Sequence, residues 1–168
     1  SETSQNRIHP TLMRTWKNQS SAPFDQIPAS TNGTILLVDD EPLVRAMTGA
    51  VLTAMGWSVI NVSSGEDAVQ MLQHMRERDT NVDMVILDLI LPCGLSGLDT
   101  VRLLRDIQPD VRILACSGFF GDEVGNSPLE IGFNAMLAKP FTPEDLAQAV
   151  YHCTHSTELQ AVRELAPA

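Results

Sequence analysis

The chain reads ILLVDDEP at residues 35–42, four aliphatic residues followed at once by three acids and a proline. An unbroken aliphatic run is typical of a strand buried on both faces, as in the centre of a parallel sheet. Pro42 suits the first turn of a helix, because its fixed φ and missing N–H cost little there. The stretch therefore predicts a buried strand, a charged turn and the start of a helix.

The same alternation of apolar runs and helical segments continues over residues 33–155. Segments with helical periodicity separate five strand-like runs. This order predicts an α/β fold, namely a flavodoxin-like (βα)5 doubly wound parallel sheet with strand order 2-1-3-4-5. The five runs are Ile35–Val38, Trp57–Val62, Met84–Leu87, Val111–Cys116 and Ala135–Ala138.

The helical segments carry start signals of different strength. SGED at residues 64–67 resembles a capping box, and TPED at residues 142–145 combines an N-cap with a proline. GDEVGNSPLEIG at residues 121–132 contains an interior proline, so we expect a short or broken fourth helix. One stripe predicts the buried side of the first helix: Val44, Met47, Val51, Leu52 and Met55.

The composition of the chain changes at both ends of this regular region. Residues 1–32 are rich in Ser, Thr, Asn, Gln and Pro, which predicts a flexible N-terminal linker. Residues 33–155 are predicted to form one folded domain, and residues 156–168 a C-terminal tail.

Charge, hydropathy and cysteine usage exclude several classes of function. A net charge of −10 repels phosphate backbones and anionic lipids, so we expect no direct nucleic-acid or membrane partner. No apolar run approaches the about 18 residues of a membrane span, and the N-terminus lacks a signal-peptide core. Three widely spaced cysteines predict reduced, buried thiols and a cytoplasmic location: Cys93, Cys116 and Cys153.

Charged and hydroxyl residues follow the predicted strands at the points where they end. Asp39 and Asp40 follow the first strand, and Asp88 follows the third. Ser117 follows the fourth strand, and Lys139 follows the fifth. Ligands of doubly wound sheets bind beyond the carboxyl ends of the strands, at the switch point between the first and third. We therefore expect these five side chains to converge on one edge.

Three converging carboxylates repel one another unless a cation lies among them. Hard oxygen ligands suit Mg²⁺, with Mn²⁺ as the second choice. A carboxylate beside such a metal can act as a nucleophile toward phosphorus. Lys139 can then pair with a phosphate oxygen, and the Ser117 hydroxyl can donate to another. The set of residues predicts phosphoryl transfer onto an aspartate.

Four motifs in order resemble the receiver (response-regulator) domain of two-component signalling. They are ILLVDDEPLVR, VILDLILP, CSG and LAKPFTPEDL, and the resemblance covers residues 33–153. It implies a signalling switch that assists its own phosphorylation and dephosphorylation and is an enzyme only in that sense. The implied phosphoryl donor is the phosphohistidine of a sensor histidine kinase or phosphotransfer protein, with Mg²⁺ bound. The implied output face combines the fourth helix, the fifth strand and the fifth helix, and a homodimer is compatible with it.

The resemblance also implies a role for each site residue. The Lys139–Pro140 peptide is expected to be cis. The implied roles are phospho-acceptor for Asp88, metal ligands for Asp39, Asp40, Asp88 and the backbone carbonyl of Ile90, switch hydroxyl for Ser117, and phosphate partner for Lys139.

The sequence departs from the family pattern in the switch and in one loop. Met136 stands where the family usually carries the aromatic switch residue, so Phe119 or Phe120 becomes a candidate for that contact. LPCGLSG at residues 91–97 is one residue longer than the commoner loop and is similar to receivers attached to hybrid kinases. We expect either a stand-alone receiver or the C-terminal receiver of a hybrid histidine kinase.

Three other functions are compatible with parts of this pattern. A degenerate receiver would bind partners without phosphorylation, but here acceptor, acid pair, hydroxyl and lysine are all present. An aspartyl-nucleophile phosphohydrolase typically carries a D-x-D motif, and Ile90 takes the place of its second acid. A flavin-binding electron carrier would need a phosphate loop after the first strand, where DDEP instead repels phosphate.

Overall fold

A computed structural model describes residues 32–118 and 132–155. Five parallel strands form one sheet in the order β2-β1-β3-β4-β5, as the sequence predicts. The strands are β1 (Thr34–Val38), β2 (Ser58–Val62), β3 (Met84–Asp88), β4 (Arg112–Ser117) and β5 (Ala135–Ala138), and the helices are α1 (Pro42–Ala54), α2 (Gly65–Glu77), α3 (Gly97–Ile107) and α4 (Pro143–His155).

The continuous aliphatic runs form the centre of the sheet because their side chains are buried on both faces. In β1, Ile35 and Leu37 point into the core shared with α1 and α4. Leu36 and Val38 point into the core shared with α2 and α3. Strand β3 is buried throughout, whereas the edge strand β2 is not. The sheet is therefore enclosed between two helical layers, which confirms the doubly wound fold.

Side-chain caps begin the helices where the sequence predicts them. Ser64 accepts a hydrogen bond from the N–H of Asp67 at 3.1 Å. At the start of α4, Thr142 and Asp145 accept from each other's backbone N–H at 3.1 and 3.0 Å. Each such cap satisfies N–H groups that have no partner inside the helix.

The buried side of α1 differs from the predicted stripe. Met47 is 63% exposed, whereas Thr48, Gly49 and Leu52 face the sheet. A Cβ atom on Gly49 would lie 3.8 Å from the Leu37 side chain. The face of α1 that packs against the sheet is therefore centred on Thr48, Gly49 and Leu52, and Met47 lies outside it.

The cysteine prediction is correct for two of the three residues. All three thiols are free, and Cys116 and Cys153 are buried. Cys93 is exposed in the connection between β3 and α3, so the prediction of burial is wrong there. Cys93 thus belongs to neither of the two core layers.

Several predictions concern segments outside the described residues. The fourth predicted helix, with Phe119 and Phe120, falls largely in residues 119–131. The proposed linker, residues 1–32, lies outside the described residues except for Asn32, and the proposed tail, residues 156–168, lies wholly outside them, so these boundaries stay predictions. Within residues 32–118 and 132–155, no helix is long and apolar enough to cross a membrane.

Candidate functional site

The carboxyl edge of the sheet collects the charged residues that the sequence places at the strand ends. Asp39 and Asp40 directly follow β1, and Asp88 is the last residue of β3. Strand β1 pairs with β3, so their carboxyl ends are adjacent. Lys139 directly follows β5 and also reaches this edge. The topology thus brings together residues up to 100 positions apart.

Asp39, Asp40 and Asp88 form an acid cluster. Each contributes one carboxylate oxygen to a group whose atoms lie within 4.8 Å of one another. Asp39 is 4% exposed and Asp88 is 6% exposed, while Asp40 is half-buried. Charges this close and this poorly hydrated repel strongly unless a cation compensates them.

Lys139 supplies part of that compensation. Its Nζ donates to Asp39 Oδ2 at 3.0 Å and to Asp88 Oδ2 at 2.9 Å. Burial by itself would lower the pKa of Lys139, but the hydrogen bonds to Asp88 and Asp39 and their negative charges outweigh it and raise that pKa. Lys139 is therefore a permanent cation that bridges the two most buried carboxylates.

Backbone groups hold the other oxygen of each bridged carboxylate. The N–H of Glu41 donates to Asp39 Oδ1 at 2.9 Å, and the N–H of Ile90 donates to Asp88 Oδ1 at 3.0 Å. Both bonds join residues two positions apart, so the turns after β1 and β3 themselves orient the carboxylates. The predicted role of the Ile90 carbonyl as a metal ligand stays a prediction.

Ser117 and Lys139 are linked through the backbone. Ser117 ends β4 and is 1% exposed, and its carbonyl accepts from the N–H of Lys139 at 2.8 Å. The Lys139–Pro140 peptide is cis, as predicted. Burial raises the pKa of the neighbouring Cys116 thiol to about 12, so this cysteine stays protonated and acts in packing.

The donor set of the acid cluster fits a hard divalent cation. Three carboxylates and one ammonium carry a net formal charge of −2. Asp40 makes no ion pair within residues 32–118 and 132–155, and its carboxylate faces the other two. Oxygen ligands of this kind suit Mg²⁺ or Mn²⁺ and leave coordination positions for water or phosphate.

Sequence reasoning missed two residues that support the site. Arg45 of α1 donates from Nη1 to the carbonyl oxygen of Asp39 at 2.6 Å. Glu66 of α2 accepts from the N–H of Leu95 at 2.6 Å, in the connection that follows Asp88. No sequence pattern indicates either contact, because Arg45 lies at an ordinary helix position and Glu66 reads as part of a capping box.

The fold and the site together define a doubly wound α/β protein with an acid cluster and a bridging lysine at the carboxyl edge of its sheet. A family model described as "Response regulator receiver domain" matches residues 35–151. The chain belongs to this family.

Two curated relatives are similar to this chain over most of its length. Sensor kinase CckA of Brucella abortus is 34% identical over 122 residues, which make up 72% of this chain and 12% of CckA. The gliding motility regulatory protein of Myxococcus xanthus is 32% identical over 135 residues, 79% of this chain and 17% of that protein. This chain thus spans less than a fifth of either relative.

Solved structures of single receivers agree with the fold over nearly their whole length. The receiver domain of the hybrid histidine kinase CckA is 26% identical with a TM-score of 0.60, and the match covers 73% of this chain and 100% of that one. A response regulator receiver protein of Sinorhizobium medicae is 30% identical with a TM-score of 0.63, covering 75% and 97%.

Proposed function

We propose that this receiver accepts a phosphoryl group on Asp88 and acts as a phosphorylation-dependent switch. The observation that carries the proposal is the acid cluster with Lys139 bridging Asp39 and Asp88 at 3.0 and 2.9 Å. Phosphoryl transfer needs a nucleophile and a positive charge beside it, and Asp88 and Lys139 provide them. A turn with a purely structural role requires neither.

In the proposed reaction, a carboxylate oxygen of Asp88 attacks the phosphorus of a phosphohistidine. The P–O bond forms as the P–N bond breaks, and the electron pair returns to the imidazole of the donor. The Ile90 N–H keeps one Asp88 oxygen in place, and the Lys139 ammonium faces the charge that accumulates on the phosphoryl oxygens. Mg²⁺ or Mn²⁺ held by the acid cluster would neutralise further negative charge.

The proposed partner is a sensor histidine kinase or a phosphotransfer protein, in line with the family. An apolar groove of about 460 Å³ opens between α1 and α4, with Lys139 in its wall. Its lining includes Val44, Met47, Val51 and Phe141, and Met47 is 63% exposed. A partner helix with an apolar face could dock there and present its phosphohistidine to Asp88. This partner class and the free thiols support a cytoplasmic location.

Phosphorylation would act on the elements that carry Lys139 and Ser117. The Lys139 side chain has a flexible four-carbon stem and can follow the new phosphate oxygens. Its N–H is bonded to the Ser117 carbonyl, so β4 and β5 would respond together. Met136 of β5 is half-buried against the core and would adjust in place of an aromatic residue. Because β4 and β5 are coupled in this way, the signal would reach partner proteins through a face formed by the helix predicted at residues 121–132, by β5 and by α4. Homodimerisation stays a prediction.

The proposed function is tested by intact mass after incubation with Mg²⁺ and acetyl phosphate. We expect one phosphoryl group on the wild-type chain, and none on Asp88→Asn. Asp110→Asn is the matched control, because it removes an exposed carboxylate in the turn before β4, and we expect it to be labelled like the wild type. Equal labelling of Asp88→Asn, or no labelling of the wild type by either acetyl phosphate or a kinase phosphohistidine, would refute the proposal.

A further inference from the structure

The β3–α3 loop, residues 89–96, follows the proposed phospho-acceptor and is anchored at both ends. At its start, the N–H of Ile90 donates to Asp88 Oδ1 at 3.0 Å. At its end, a Cβ atom on Gly97 would lie 2.5 Å from the carbonyl oxygen of Leu89, so the first turn of α3 rests on the start of the loop. The start of the loop, which carries Ile90, thus contacts both the acid cluster and the first turn of α3.

Glu66 holds the loop near its far end. Its Oε1 accepts a hydrogen bond from the N–H of Leu95, with 2.6 Å between nitrogen and oxygen. The two residues are 29 positions apart, so no local turn enforces the contact. A bond to a carboxylate is shorter and stronger than one between neutral groups. Among the described residues, it is the side-chain hydrogen bond that connects α2 with the β3–α3 loop.

Neighbouring glycines make room for this contact. Gly94 has a φ of +75°, and a Cβ atom there would overlap the carboxylate of Glu66. Gly65 begins α2, and a Cβ atom there would overlap Thr100 Oγ1 and lie 3.1 Å from the Leu95 Cβ. The start of α2, the loop and α3 thus meet with no space for further side chains, and Glu66 fills the gap that Gly94 leaves.

We propose that Glu66 is a positioning residue that holds the β3–α3 loop, and with it Ile90, ready for divalent-cation binding at the acid cluster. The inference rests on the proposed function, because that function requires a cation beside Asp88. Glu66 lies in the first turn of α2 and is not a member of the acid cluster, so it would act on the cluster only through the loop. An anchored loop loses less conformational entropy when a ligand orders it, and this raises affinity.

The size of the effect follows from how residues behind metal ligands usually act. Removing such a partner typically lowers metal affinity about 10- to 100-fold. Glu66 is half-buried and acts through several loop residues, so we expect the lower end, a loss of about tenfold in Mg²⁺ affinity.

The test compares Glu66→Ala, Glu66→Gln and Asp67→Asn in the full chain. Glu66→Ala removes the acceptor, whereas Glu66→Gln keeps an amide oxygen that can accept from Leu95 while losing the charge. Asp67→Asn is the matched control, since it removes an exposed charge from the same helical turn without touching the loop. Two quantities are measured: Mg²⁺ affinity by titration calorimetry, and hydrogen exchange of the Leu95 amide in metal-free buffer by NMR.

We expect Glu66→Ala to weaken Mg²⁺ binding about tenfold and to accelerate Leu95 amide exchange, with Glu66→Gln and Asp67→Asn within about twofold of the wild type. Gly94→Ala should also weaken binding, because its Cβ would overlap the Glu66 carboxylate and because a φ of +75° strains any side chain at this position. Unchanged Mg²⁺ affinity in Glu66→Ala would overturn the inference, and so would an equal loss in Glu66→Gln and Asp67→Asn. Failure of the proposed function is a separate result, namely a wild-type chain that binds Mg²⁺ but accepts no phosphoryl group.

Discussion

Asp40 is the member of the acid cluster whose charge has no ion-pair partner among the described residues. Lys139 bridges Asp39 and Asp88 and leaves Asp40 facing both of them within 4.8 Å. In metal-free buffer this arrangement costs stability, because folding brings together charges that are far apart in the unfolded chain. We therefore expect Asp40→Asn to raise the free energy of unfolding when no divalent cation is bound.

The magnitude follows from the charges around Asp40. Two carboxylates and one ammonium act on it as one net negative charge. At a separation of about 5 Å and the high effective dielectric of a half-exposed site, one such charge costs about 1 kcal/mol. In a domain of this size, about 1 kcal/mol corresponds to a rise in Tm of about 4 °C.

The assay is thermal unfolding followed by circular dichroism, with EDTA or with saturating Mg²⁺. Asp40→Asn should melt higher than the wild type in EDTA, and its advantage should disappear or reverse in Mg²⁺, because the variant lacks a proposed ligand. Asp110→Asn changes the net charge equally and controls for general self-repulsion. A lower Tm of Asp40→Asn in EDTA, or an equal rise in Asp110→Asn, would refute the reasoning.

Two further predictions concern packing and pH. Gly97→Ala should lower the free energy of unfolding by about 1–3 kcal/mol, because its Cβ would lie 2.5 Å from the backbone oxygen of Leu89. Gly118→Ala is the control, because there is open space around Gly118, and it should change the free energy of unfolding by less than about 0.5 kcal/mol. Denaturant titrations measure both values, and equal effects of the two variants would contradict the packing argument. Burial raises the pKa of Cys116 and of Cys153 from 9.0 to about 12, so only the unfolded thiols ionise between these values. These thiols should not affect the free energy of unfolding below pH 9, and above pH 9 each should lower it by about 1 kcal/mol per pH unit. Cys153→Ala should reduce the dependence of the free energy of unfolding on pH in this range. An unchanged dependence would contradict the raised pKa of Cys153.

Most of the fold could be predicted because its signals are local. Aliphatic runs such as Ile35–Val38 favour burial on both sides, and a parallel sheet covered by helices on both faces provides that environment. Side-chain caps such as Ser64 and Thr142 mark helix starts through bonds to residues three positions away. The rotation of α1 could not be predicted in this way, because the residues that it buries are Thr48, Gly49 and Leu52, and two of these are not large apolar residues.

The sequence was sufficient to predict which charged residues lie together at the candidate site. Strand order alone requires that residues at the carboxyl ends of β1, β3 and β5 share one edge. The structure brings Asp39, Asp40, Asp88 and Lys139 together there, as expected. Cys93 shows the limit of predicting burial from residue type. Cysteines are usually buried, but Cys93 lies in a surface connection and is exposed.

The sequence by itself determined the order of strands and helices and the identity of the residues at the strand ends, because periodicity, capping and chain connectivity are properties of neighbouring residues. Tertiary structure decided which charges are paired. Lys139 bonds to two carboxylates 51 and 100 positions away, Arg45 supports the Asp39 backbone, and Glu66 reaches a loop 29 positions on. In the stretch ILLVDDEP the two aspartates therefore differ. Asp39 is buried and forms an ion pair with Lys139, whereas Asp40 faces the other two carboxylates without an ion-pair partner among the described residues. This crowding of charges arises only when the chain is folded and the ends of the strands meet.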